Sequence, residues 1–352
     1  MNLKLRSAKQ LIQSGGRKNL LKSGMFLLVF PLFFLPSHVV ADDLQDCMIR
    51  GVNSASPDTT IGDLQMQCEK ELRSYTVTEE GKETPVVTAR IRQDKKHVLQ
   101  PFTIMAHRPN YFLGAVNNSA GFNSEAFRES FHEPDLSWGD TEIQFQLSMK
   151  FPLLVDLFND TVDIYAAYTQ RAFWQVYHSS GSAQFRENNY EPEIWVQFSP
   201  SWELFGFKNT WNSLGLVHQS NGRGGTLERS WNRVFAWLTI EREKLALSFR
   251  PWYRIPENND DDNNPDITDY LGHFELYASY KWNEHVFSMM SRNNLESGFE
   301  KGSVELSWSI PLGDWPYLKG YVQYFTGYGR DLVDYKQYSN TIGVGISLTD
   351  WL

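Results

Sequence analysis

The chain has 352 residues, a formal net charge of −9 and two cysteines, and 14 % of it is aromatic. An acidic chain of this kind does not seek nucleic acid, and no basic patch with interleaved aromatics is present. A dense disulfide framework is excluded too: Cys47 and Cys68 close one local loop at most, in an oxidising compartment.

Residues 1–41 read as a secretory signal. Lys4, Arg6, Lys9, Arg17, Lys18 and Lys22 form a basic leader without an acidic residue. An apolar run from Met25 to Leu35 follows, and Val39, Val40 and Ala41 provide small residues for cleavage. The run is short and holds Pro31, which argues against a membrane anchor. Taking six basic residues from a chain of charge −9 leaves about −15. Residues 42–98 are polar and charged, hold both cysteines, and read as a periplasmic extension.

From about residue 99 the pattern changes to period two. In "EIQFQLSMKF", Ile143, Phe145, Leu147, Met149 and Phe151 share one face, with Glu142, Gln144, Gln146, Ser148 and Lys150 on the other. In "SVELSWSI", Val304, Leu306, Trp308 and Ile310 oppose Ser303, Glu305, Ser307 and Ser309. Such alternation predicts strands with one apolar and one polar face. Further strands are expected from near residues 102, 162, 191, 211, 232, 244, 269, 284, 316 and 340, about twelve in all. Many aromatics combined with a mean hydropathy of −0.44 suit such strands.

Short connections at 241–244, 282–285 and 311–315 trade places with long polar ones at 255–268 and 327–339. Short turns at one end, long loops at the other and an even strand number describe an all-β, antiparallel transmembrane β-barrel. A soluble sandwich needs fewer Trp and Tyr at strand ends. The barrel is expected over residues 99–352, in the outer membrane of a Gram-negative cell. Many such barrels end in an aromatic residue; here Trp351 is followed by Leu352.

In "SLGLVHQSN", Leu214, Leu216, His218 and Ser220 have one parity, so the histidine and serine share the lipid-facing strip with the leucines. Polar side chains there are costly and need a reason. Asn232 opens the next strand in phase with Val234, Ala236 and Leu238, so a hairpin brings it back beside His218. Serine is a poor nucleophile until an imidazole takes its proton, and the imidazole needs a third group to hold its tautomer. An amide performs that task without setting a permanent charge beside acyl chains. Gly222 leaves the backbone free to aim an amide at an oxyanion. A passive porin, in which this polar strip is incidental, is the alternative.

"HQSNGRGG…RSWNR" resembles the active-site region of the bacterial outer-membrane phospholipase A family. "YTQ" (168–170), "FRENNYEPE" (185–193), "PWY" (251–253), "DNNPDIT" (262–268) and "GYG" (327–329) resemble it in the same order, from about residue 100 onward. The resemblance implies a twelve-stranded barrel that hydrolyses sn-1 and sn-2 esters of membrane phospholipids, dependent on Ca2+ and active as a homodimer. It makes Ser220 the nucleophile, His218 the base and Asn232 the orienting group. It places calcium beside the nucleophile, held by the Arg223 carbonyl, Glu228 and Ser182 of the partner subunit, with Gln170 pairing across the interface. Family members commonly carry a serine where this chain has Glu228. The acidic stretch "NNDDDNNPD" (258–266) lacks the spacing of a calcium loop and reads as a solvated outer loop.

Overall fold

A computed structural model describes residues 60, 62–63, 84–98, 104–178, 185–200, 202–258, 260, 262–313, 315 and 317–352. The leader expected over 1–41, Cys47, Cys68 and Ser182 lie outside the described residues.

The alternating segments form twelve long strands, most of them close to their expected starts. They are β1 (Asn110–Asn118), β2 (Thr141–Asp156), β3 (Val162–Trp174), β4 (Phe185–Phe198), β5 (Phe207–Ser220) and β6 (Ser230–Arg242). The others are β7 (Leu245–Arg254), β8 (Phe274–Trp282), β9 (His285–Asn293), β10 (Gly302–Pro311), β11 (Lys319–Gly327) and β12 (Ser339–Thr349). Consecutive strands pair antiparallel, and β12 returns to β1 through pairs such as Ser347 with Tyr111, closing the barrel without an edge. The first strand starts later than its expected 102, and the fourth earlier than its expected 191. Pro101 and Pro192 blur the alternation at those points.

Two-residue turns at 243–244 and 283–284 join β6 to β7 and β8 to β9, with Glu243 and Asn283 in the left-handed region at φ 52°. The opposite end carries the long connections, including helix α1 (Glu125–Phe131) before β2.

The pleat sorts the side chains as the parity requires. Gln144, Gln146 and Ser148 are buried inside, whereas Leu147, Leu214, Leu216, Leu306 and Ile342 are exposed outside. An apolar belt of this extent needs a hydrocarbon solvent, and the closed ladder satisfies the backbone within it. No helix among the described residues is long and apolar enough to cross a membrane; the strands do the crossing.

The interior is filled. Arg186 is enclosed by Glu142 at 3.0 Å, Asp331 at 2.8 Å and Asp334 at 3.1 Å, and Arg330 meets Glu142 at 2.8 Å. Buried charges persist only with partners of this kind. The 328–338 connection folds into the long-loop end and buries Leu332 and Tyr335. At the short-turn end sits helix α2 (Val86–His97). Glu241 accepts from the first free amides of α2, Val87 N at 2.7 Å and Thr88 N at 3.2 Å, and Lys150 pairs with Asp94 at 2.6 Å. Arg90 donates to the Trp351 carbonyl at 2.6 Å, and the Trp351 ring packs 4.9 Å from Tyr277. The last part of the stretch read as an extension therefore belongs with the barrel, because its helix termini and charges find their partners there. A cavity of about 100 Å³ remains beneath α2. Among the described residues, the 328–338 connection and α2 thus occupy opposite ends of the lumen.

Candidate active site on the outward face

Strands β5 and β6 form the hairpin expected from the sequence. His218 stands opposite Asn232, and Ser220 opposite Ser230. Directly opposed residues project to the same side. His218 is exposed on the outward face, whereas Ser220 and Asn232 are half-buried. The His218 Nδ1 and Asn232 Oδ1 atoms lie 2.9 Å apart. An amide oxygen only accepts, so Nδ1 carries the proton and the Nε2 lone pair stays available. The other end of the amide is engaged as well: Asn232 Nδ2 donates to Glu257 Oε1 at 3.0 Å.

The connection between the two strands is built around Asn221, which is 4 % exposed. Its Oδ1 accepts from the amides of Arg223 at 3.3 Å and Arg229 at 3.1 Å, and its Nδ2 donates to the Leu227 carbonyl at 2.8 Å. Beneath it, Leu227 is buried with Phe127 of α1, Leu136 and Val333. Gly222 takes φ +64°, and a β-carbon there would meet the Tyr190 ring at 3.1 Å, so both backbone and space call for glycine.

Arg223 turns its side chain away from the loop. Its Nε donates to Glu187 at 3.1 Å and a terminal nitrogen donates to the Arg186 carbonyl at 2.7 Å. Glu228 is exposed on the same loop, and among the described residues no cation pairs with it. Gln170 lies on the outward face of β3, in one cross-strand row with Tyr190 and Ser220. The structure thus brings Ser220, His218, Asn232, Gly222, Arg223 and Glu228 to one hairpin, with Gln170 two strands away. Sequence reasoning missed Asn221, Tyr190 and Glu257. Asn221 and Tyr190 sit inside motifs already singled out, but Glu257 lies 25 positions past Asn232 in a polar loop that carries no local signal.

The acidic stretch is not simply a solvated loop. Asn264 is fully buried and accepts from the Ser230 amide at 3.1 Å, while Arg254 pairs with Asp262 at 2.6 Å. These contacts brace the start of β6 next to Asn232.

A family model described as Phospholipase A1 matches residues 87–348. The chain belongs to the phospholipase A1 family. The phospholipase A1 of Klebsiella pneumoniae is 33 % identical over 268 residues, spanning 75 % of this chain and 87 % of that protein. Two solved structures agree in fold as well as sequence. The Salmonella typhi outer membrane phospholipase dimer with bound calcium is 32 % identical, with a TM-score of 0.67 over 74 % of this chain and 96 % of that one. Outer membrane phospholipase A from Escherichia coli is also 32 % identical, with a TM-score of 0.65 over 71 % of this chain and 100 % of that one. This phospholipase A1 family chain is accordingly an esterase of the outer membrane, built as a closed twelve-stranded barrel.

Proposed function

We propose that the chain hydrolyses the sn-1 and sn-2 acyl esters of phospholipids and lysophospholipids with Ser220 as nucleophile, His218 as base and Asn232 as the group that orients it. The observation that carries this reading is the 2.9 Å contact between His218 Nδ1 and Asn232 Oδ1, on the same outward face as Ser220 two residues along β5. Polar groups so placed are expensive unless they work on lipid. Ser220 Oγ attacks the ester carbonyl carbon while its proton passes to His218 Nε2. The same proton then goes to the departing glycerol oxygen as the C–O bond breaks, which leaves an acyl-serine. A water activated by His218 releases the fatty acid and regenerates Ser220. The Gly222 amide is the candidate donor to the oxyanion.

Calcium fits the donor chemistry of the loop. The Arg223 carbonyl and the Glu228 carboxylate are hard oxygen donors, and the Arg223 side chain is committed elsewhere. Together with Ser182 of the partner subunit and water they would hold the ion. Bound there, calcium supplies positive charge beside the oxyanion. Two ligands from one chain fall short of the six to eight that calcium takes, which favours a shared site in a homodimer. Gln170, in the row of Ser220, is suited to pair with its counterpart in the partner, since an amide hydrogen bond within lipid helps hold two barrels together.

Residues 1–41 act as a signal peptide in this proposal, and the stretch before α2 stays in the periplasm. The long-loop rim with the Ser220 hairpin then faces the cell exterior. The deciding experiment is fatty-acid release by the purified protein in detergent with calcium, compared with Ser220→Ala. Undiminished release by a folded Ser220→Ala barrel would overturn the nucleophile assignment.

A further inference from the structure

Behind Asn232 stands a carboxylate that the hydrolytic scheme leaves unused. Glu257 follows β7, and the backbone just before it is tied to the site, because Ile255 N donates to the Asn232 carbonyl at 2.8 Å. Pro256 stiffens the step between them. Glu257 Oε1 then accepts from Asn232 Nδ2 at 3.0 Å, and the carboxylate is half-buried. Among the described residues no cation pairs with it, so its charge is directed at the amide.

We propose that Glu257 is a positioning residue for ester hydrolysis, locking the Asn232 amide so that its oxygen faces His218 and lending negative charge to the imidazolium. This rests on the reading of Ser220, His218 and Asn232 as the hydrolytic unit. An ionised carboxylate only accepts, so it admits one orientation of the amide: nitrogen toward Glu257, oxygen toward His218. With the amide reversed, an N–H would face Nδ1 and the imidazole would shift to the tautomer whose Nε2 carries the proton and cannot take one from Ser220. The two hydrogen bonds also polarise one another through the amide, so withdrawal of Nδ2–H toward the carboxylate strengthens Oδ1 as an acceptor. The negative charge thereby reaches the imidazole through a neutral side chain. It originates on the loop that follows β7, and not on the outward-facing strand position 232 itself.

The test measures kcat and KM for fatty-acid release from phospholipid–detergent micelles at saturating calcium, for Glu257→Gln, Glu257→Asp and Glu257→Ala beside Ser220→Ala. Glutamine keeps an accepting oxygen but no charge, and kcat is expected to fall about tenfold with KM unchanged. Alanine is expected to fall further, toward the level of Asn232→Ala, and aspartate to recover most of the loss. In an Asn232→Ala background Glu257→Ala should add nothing, since its only route to His218 is gone. A merely structural role would lower the melting temperature instead, and a calcium-ligand role would raise the half-saturating calcium concentration. Either result with kcat intact overturns the proposal, as do losses that add in the double variant. Wild-type kcat in Glu257→Ala beside an inactive Ser220→Ala sinks the role of Glu257 alone. An active Ser220→Ala removes the hydrolytic reading beneath it.

Discussion

Replacing Asn232 with alanine separates orientation from chemistry. The backbone ladder that sets His218 opposite position 232 survives the change, as do Ser220 and the loop around Asn221. What disappears is the 2.9 Å hydrogen bond to Nδ1. A hydrogen bond to a group that becomes charged in the transition state contributes about 1.5–3 kcal/mol. His218 is exposed on the outward face, so water competes for Nδ1 and the lower half of that range applies. At 1.36 kcal/mol for each factor of ten, kcat should fall about 10- to 50-fold, with KM little changed because no substrate contact is lost. The assay is the initial rate of fatty-acid release from mixed micelles at saturating calcium, with folding checked by the compact band that an unheated barrel shows on a gel. A kcat equal to that of the unaltered protein would refute the orienting role. A loss as complete as that of Ser220→Ala would also refute the reasoning, because Asn232 would then do more than hold a ring.

Ser220→Ala and His218→Ala should each remove nearly all activity in folded protein, and their combination should be no worse than either, as for residues acting as one unit. Removing calcium with a chelator should abolish hydrolysis, and Glu228→Ser and Glu228→Ala should raise the half-saturating calcium concentration. A titration curve that does not move in either variant would leave Arg223, Ser182 and water as the ligands. Gly215→Ala should destabilise the barrel by about 1–3 kcal/mol, because its β-carbon would meet the Ile194 carbonyl at 2.4 Å and Phe235 at 2.7 Å; an unchanged unfolding midpoint would contradict this. Cysteine labelling of positions within 221–231 should succeed from the cell exterior, and labelling only from the periplasm would reverse the proposed orientation.

The sequence by itself determined the barrel and most of its candidate site. Period two is a local property, so Leu147 between Gln146 and Ser148 already states which side chain faces lipid and which the lumen. Because a strand fixes parity, it also placed His218, Ser220 and Asn232 on one face before any pairing was known. The tertiary structure decided what parity leaves open. Register alone sets His218 opposite Asn232, and a slip of one residue would have turned either away. That α2 closes the short-turn end depends on Glu241, more than 150 positions from Val87, waiting at the barrel mouth for its free amides. The acidic stretch around Asn264 looks solvated because its composition is polar, yet closure of the barrel buries it against Ser230. Glu257 is another loop glutamate until β7 returns beside β6 and brings its carboxylate to the far end of the Asn232 amide. Contacts made across closed strands carry no local period, and only folding brings them together.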